Sequence, residues 1–274
     1  MSSALKVPGT AADRLMAVGL MLILLLLLGA VLGPALAWRD PSFIRLDERL
    51  LPPLSAGHFL GTDQLGRDIA ARLLAGLRWS MATAGLATLI SVVLGTALGL
   101  VAARGSWPFA GAIRQVTALA QSFPVFVLAV SIIAIVGNGF WAVVLTLGLV
   151  TWPVFCRVVE AEASSLMKRE YVLAAGLMQM SIVRLYVWHI LPGLVPSLAV
   201  LVAFHFADML IAESALSFLG IGAPLGAATW GAMLSESRAY LLTAPWLLLV
   251  PASAVVLVVI AFNLFGDGLR RRFG

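Results

Sequence analysis

A bundle of six membrane-spanning helices, an all-α membrane protein, is the fold this sequence predicts, and three observations predict it. Hydrophobic residues make up 61% of the 274 residues and charged residues only 11%, whereas a soluble domain draws on about a quarter charged residues. Mean hydropathy is +1.03. The charges are also clustered, leaving uncharged intervals long enough for spans of about 20 residues each. A charge at the bilayer centre costs about 2.5 to 3.5 kcal/mol on insertion scales, so those intervals serve as a ruler.

The first span falls between Arg14 and Arg39 and holds the run Leu24 to Leu28. A cleaved signal peptide is the competing reading, with Ala35-Leu36-Ala37 resembling a cleavage site, but the apolar core exceeds the roughly 7 to 15 residues such segments use. The second span lies between Arg78 and Arg104. The interval from Arg114 to Arg157 holds the third and fourth, divided by the turn signal Gly137-Asn138-Gly139. The fifth runs from Gly193 to Ile211 and the sixth between Pro245 and Gly266. One more uncharged interval, between Glu213 and Glu236, is punctuated by Gly220, Gly222, Pro224, Gly226 and Gly231 and reads as a loop or re-entrant segment outside the bundle.

Within the second span, Ala87, Ser91, Gly95 and Gly99 recur every fourth residue, a smooth face on which another helix backbone can pack closely. Pro124 and Pro153 interrupt the third and fourth spans, each removing a backbone donor and bending its helix. Cys156, the one cysteine, lies in an apolar run, so neither an intrachain disulfide nor a cysteine-based metal site is possible.

Placing both termini in the cytoplasm puts Lys6, Arg14, Arg104, Arg114, Arg157, Lys168, Arg169, Arg184 and Arg270 to Arg272 inside, against Arg39, Arg45, Arg49, Arg67, Arg72, Arg78 and Arg238 outside. The bias follows the positive-inside rule and accounts for the net charge of +5 without nucleic acid. Trp38, Trp79, Trp107, Trp141, Trp188 and Trp246 fall near span ends, as an interfacial aromatic belt in contact with lipid requires.

Between the fourth and fifth spans, Arg157, Glu160, Glu162, Lys168, Arg169, Glu170 and Arg184 concentrate in otherwise uncharged sequence. Tyr171, Ala174, Ala175 and Met178 follow helical spacings of three and four there, placing them on one side of a short surface helix. Two uses fit this pattern: an amphipathic connector lying on headgroups, or a docking face for a partner protein.

Five motifs resemble one family. Glu170-Tyr171-Val172-Leu173-Ala174-Ala175, continuing to His189-Ile190-Leu191-Pro192, looks like the cytoplasmic loop signature of binding-protein-dependent ABC importer permeases. Leu60-Gly61-Thr62-Asp63-Gln64-Leu65-Gly66-Arg67-Asp68 resembles the first-loop motif of the C-type permease of the oligopeptide, dipeptide and nickel group. Leu216-Ser217-Phe218-Leu219-Gly220, Trp230-Gly231-Ala232-Met233-Leu234 and the run Ala261 to Arg270 look like the same subgroup.

The resemblance implies a six-helix type I ABC importer transmembrane domain with a cytoplasmic coupling helix, in the inner membrane of a bacterium. It divides the chain into residues 1–78, with the first span and outer loop, and a permease domain 79–274 with a coupling loop at 160–192. The chain would form half a channel for di- or oligopeptides, or for nickel or metal chelates. Its implied partners are a B-type permease, two ATPases and an extracytoplasmic substrate-binding protein. Glu170, Tyr171, Ala174, Ala175, Met178 and Gln179 become candidate ATPase-coupling residues. Leu173 and Gln179 depart from the family's usual acidic residue and glycine. The sequence has no phosphate-binding glycine loop, so no cofactor is expected on this chain, with ATP and Mg left to the partner subunits.

His205 and Asp208, three residues apart, fall on one face of the fifth span and could hydrogen-bond to each other. Asp208 would sit about 22 Å from the inner edge, where ionisable groups face a bundle interior or a watery cavity. Glu213, about 140° further around the helix, is expected at the outer mouth. All three are candidate pathway residues. One histidine and one carboxylate are too few for a metal site. A secondary transporter would show inverted repeats, and an intramembrane enzyme a nucleophile fixed beside the His–Asp pair. Neither is found.

Overall fold

The computed structural model describes residues 11–36, 39–55, 57–105, 109–178, 180–224 and 226–273, and among them there are helices and two isolated β-bridges. In chain order the helices are α1 (Ala11–Leu36), α2 (Ile69–Ala103), α3 (Ala110–Gln121), α4 (Val125–Val136), α5 (Phe140–Leu166), α6 (Glu170–Leu177), α7 (Ile182–Leu185), α8 (Leu191–Phe218), α9 (Trp230–Ser237) and α10 (Trp246–Phe273). A π-helical stretch, Tyr186–Ile190, joins α7 to α8. That widened turn makes room for Pro192, whose ring would crowd the Trp188 carbonyl in a regular helix.

Among the described residues, five segments are long and apolar enough to cross a membrane: Asp13–Gly33, Ile69–Ala103, Phe140–Leu166, Ile182–Phe218 and Trp246–Phe273. The sixth is α3 with α4, bent by 90° at residues 122–124, where Pro124 starts α4 in extended conformation. Pro153 lies inside an uninterrupted α5.

Small residues set the packing. The seam Ala87, Ser91, Gly95 and Gly99 is buried against α5. A Cβ on Gly95 would lie 2.5 Å from both the Phe155 Cβ and the Trp152 carbonyl, and Gly148 lets α5 approach Ile90 in return. The seam is hydrogen-bonded too, with Ser91 Oγ 3.0 Å from the Gly148 carbonyl and 2.6 Å from Thr151 Oγ1. The contact pairs run in the same direction, so α2 and α5 are parallel. Helix α1 is antiparallel to α10, with Gly19 against Phe265 and Gly268 against Met16. Helix α8 is antiparallel to α2, α5 and α10, through Phe206 near Gly85, Thr151 beside His205 and Phe206 stacked on Phe262. Alternating directions put the start of α1 and the end of α10 at the same end of the bundle as α6.

Two expectations change. Helix α2 begins at Ile69, before Arg72 and Arg78, so the proposed division at residue 78 cuts a continuous helix. Asp68 caps that helix, accepting from the Ala71 amide at 2.9 Å. The interval after Glu213 is not all loop: α8 continues to Phe218 and α9 packs against the bundle, with Trp230 fully buried. The glycines obscured α9, although Thr229 caps it.

Candidate functional site

Helix α6 follows α5 after a three-residue turn and has two unlike faces. Val172 and Ala175 are buried, and Val172 joins Val159, Ala163, Leu166, Ile190 and Leu194 in an apolar cluster. Full burial of such a side chain is worth about 1.5 to 3 kcal/mol, enough to hold a two-turn helix that would not persist alone. On the other face Glu170, Tyr171, Leu173, Ala174 and Met178 are exposed, Met178 at 82%. The Tyr186 hydroxyl, 3.4 Å from the Leu100 carbonyl, ties the hairpin to the end of α2. Through Val172, α6 rests on the end of α5 and the start of α8. The expectation of a single outward face is corrected at one position, since Ala175 packs inward while Tyr171, Ala174 and Met178 point out. Gln179 lies outside the described residues.

The three candidate pathway residues have three different surroundings. His205 is buried, its Nε2 3.2 Å from Thr151 Oγ1 and its ring edge-on to Phe155 at 4.9 Å. It braces α8 against α5. Asp208 is exposed and, among the described residues, has no hydrogen-bond or ion-pair partner. The expected His205–Asp208 bond is absent there because three residues turn a helix by 300°, and the 60° remainder straddles the boundary between packed and open surface. Glu213 is not at a mouth. It is fully buried, and accepts hydrogen bonds from Trp79 Nε1 at 3.1 Å, Ser80 Oγ at 2.9 Å and Ser217 Oγ at 2.9 Å, locking α8 to α2.

Asp208 stands one turn above a groove of about 400 Å³ that runs along α8 between α5 and α10. Ser197, Leu201 and Phe204 line it from α8, Val158 from α5, and Arg270 and Phe273 from α10. A lipid-facing carboxylate at this depth would cost about 2.5 to 3.5 kcal/mol on insertion scales, so the ridge carrying it belongs against water or protein.

The opposite end of the bundle is closed by ionic contacts the sequence did not announce. Asp63 accepts from the Leu65 and Arg67 amides at 2.8 and 2.9 Å and from Arg67 Nε at 2.6 Å, and it is paired with Arg72. Glu236 on α9 receives Arg67 and Arg72, each at 2.8 Å, and Gln64 at 3.0 Å. Burial alone would raise the Glu236 carboxyl, but Arg72, assisted by Gln64 and Arg67, outweighs burial and holds it below its ordinary value. Nearby, His58 bridges Asp68 at 2.6 Å and Glu48 at 3.0 Å, and that bond to His58 keeps the Glu48 carboxyl low. Gly66, at φ +72°, has the Arg45 carbonyl where a Cβ would stand. The motif at 60–68 is thus a rigid cap pinned to α9.

The family model of the binding-protein-dependent transport system inner membrane component matches residues 95–274. The chain belongs to that family. The dipeptide transport system permease protein DppC of Alkalihalophilus pseudofirmus is 35% identical over 259 residues, 94% of this chain and 84% of that protein. The nickel transport system permease protein NikC of Escherichia coli K12 is 35% identical over 255 residues, 92% of each. The inward-facing MetNI methionine ABC transporter shares the fold, with a TM-score of 0.59 at 19% identity over 73% of this chain and 95% of that chain. An amino acid ABC transporter gives a TM-score of 0.54 at 18% identity over 74% of this chain and 94% of that chain. The chain is a multi-pass permease subunit of an ABC importer with the type I fold, and the expectation of a six-helix all-α membrane protein holds.

Proposed function

We propose that this permease forms half of the membrane pathway for di- and oligopeptides, and that α6 is the element gripped by partner ATPases. One observation carries the cargo reading: the likeness to a dipeptide permease extends over 94% of the chain. It therefore includes the capped loop, α8 and α6 together. A related B-type permease supplies the other half, two ATPase subunits bind and hydrolyse ATP with Mg, and an extracytoplasmic substrate-binding protein delivers the peptide. The α6 end, with the termini, faces the cytoplasm, and the cap made by residues 60–68 and α9 faces outward.

The packing supplies a mechanical route. Closure of the ATPases would push on Tyr171, Ala174, Met178 and their exposed neighbours. Val172 and Ala175 would pass that displacement to α5 and α8, and the glycine seam would carry α2 along as one body. The Glu213 lock and the ionic cap would keep the outer ends of α2, α8 and α9 together while the inner ends move.

Nickel or a metal chelate is the second reading, supported by the equal identity to NikC. Among the described residues there is no cluster of metal-ligating side chains, and a chelate needs none. The test is ATP-driven uptake by the complete transporter with its receptor in proteoliposomes, comparing labelled dialanine and trialanine with labelled nickel, free and chelated. Peptide accumulation without nickel uptake supports the first reading; nickel uptake alone overturns it.

A further inference from the structure

We propose that Asp208 is the charge-selecting residue of the pathway, a water-exposed carboxylate that favours peptides carrying an additional positive charge. This inference rests on the peptide-import reading above. It joins three features of one helix: an exposed carboxylate within a span, no partner for it among the described residues, and an adjoining groove whose surface is otherwise mainly apolar.

Asp208 lies about 15 Å from the Phe218 end of α8 by helical rise, well inside the hydrocarbon thickness. A fixed carboxylate there is tolerated where water or a cation solvates it. His205 does not supply the cation, because its ring is turned inward to Thr151 and Phe155. Arg270 is too far: Gly266 packs beside Phe204, so the antiparallel helices place Arg270 about 12 Å below Asp208 along the groove. Glu213, the other carboxylate on α8, is occupied by Trp79, Ser80 and Ser217. Asp208 is thus the acidic group of α8 left free to meet cargo. A peptide ammonium moving along the groove would encounter it one turn above Phe204.

A peptide ammonium passing about 8 Å away in a partly hydrated passage would be favoured about fivefold over a neutral group, and a carboxylate disfavoured by a similar factor. The experiment is ATP-driven uptake of labelled Ala-Lys-Ala, Ala-Ala-Ala and Ala-Glu-Ala by the complete transporter carrying wild-type chain, Asp208→Asn or Asp208→Glu. The same receptor serves all three, so its own preference cancels in the comparison. Asp208→Asn should lower the Ala-Lys-Ala to Ala-Ala-Ala ratio about fivefold and raise the Ala-Glu-Ala ratio, while Asp208→Glu retains the wild-type ratios. Equal loss for all three peptides, or unchanged ratios, would overturn the assignment. Failure of the wild type to take up any peptide would instead overturn the peptide reading.

Water access has a separate readout. Cys156 is fully buried, so Asp208→Cys adds the accessible thiol. A charged, membrane-impermeant thiosulfonate should label it in the assembled transporter, and labelling should slow in the presence of Ala-Lys-Ala. No labelling would mean that lipid or the second permease covers the position and would refute the proposal.

Discussion

Replacing Gly95 by alanine tests the α2–α5 seam, and Gly85→Ala on the same helix supplies the control. Alanine gains up to about 1 kcal/mol over glycine in a helix interior, and both substitutions share that gain. They differ in what the new methyl meets. At Gly85 its nearest neighbour is the Phe206 ring edge at 3.6 Å, an ordinary contact. At Gly95 it meets the Phe155 Cβ and the Trp152 carbonyl at 2.5 Å and the Cys156 amide nitrogen at 3.0 Å. Backbone atoms have no rotamer by which to withdraw, so the two helices must separate by about 1 Å to restore normal contact distances. Overpacking of this kind costs about 1 to 3 kcal/mol, and the difference between the two variants isolates it. The assay is thermal melting in detergent, followed by size-exclusion fluorescence. Gly95→Ala should melt several degrees below Gly85→Ala, and equal melting temperatures would refute the tight-seam account.

Glu213→Ala leaves Trp79 Nε1, Ser80 and Ser217 facing a vacated acceptor, and at about 1 to 3 kcal/mol for each stranded buried group it should destabilise the permease more than Glu213→Gln does. The same melts check this, and a wild-type melting temperature for Glu213→Ala would refute the lock. The depressed Glu236 carboxyl adds stability that is present above its unfolded value, near 4.5, and is lost as pH falls through its lower folded value. Hydrogen exchange at residues 60–68 should therefore show more protection lost to acid below pH 4.5 in the wild type than in Glu236→Gln, and identical profiles would exclude the linkage.

The spans were legible because hydrocarbon exacts a high cost for charge, and the Gly137-Asn138-Gly139 break was legible as turn chemistry. Where ion pairs relieve that cost, the ruler failed. Arg72 sits inside α2 because Asp63 and Glu236 pair with its charge, a partnership spanning 164 residues between Arg72 and Glu236 that no local pattern reveals. Helix α9 was hidden by glycines whose reason is tertiary, as at Gly231, which packs on the Ser214 carbonyl. Glu213 was misplaced because helical angle alone cannot tell a mouth from a helix–helix contact. The side on which Ala175 lies was misjudged for a related reason: the spacing of three and four defines an arc, while which edge of it is buried is set by tertiary packing, as at Val172 against Val159, Leu166 and Ile190. Met178 and Tyr171 were legible because they lie well inside the free arc.

In the mechanism proposed above, motor force enters through the exposed face of α6. Ala174→Arg places a long charged side chain on that face without entering the Val172 and Ala175 niche. The decisive measurement is ATP-driven peptide uptake by transporter containing this variant, alongside its membrane insertion and its pairing with the second permease. Normal insertion and pairing with uptake abolished is the result expected, and uptake at the wild-type rate would contradict the account.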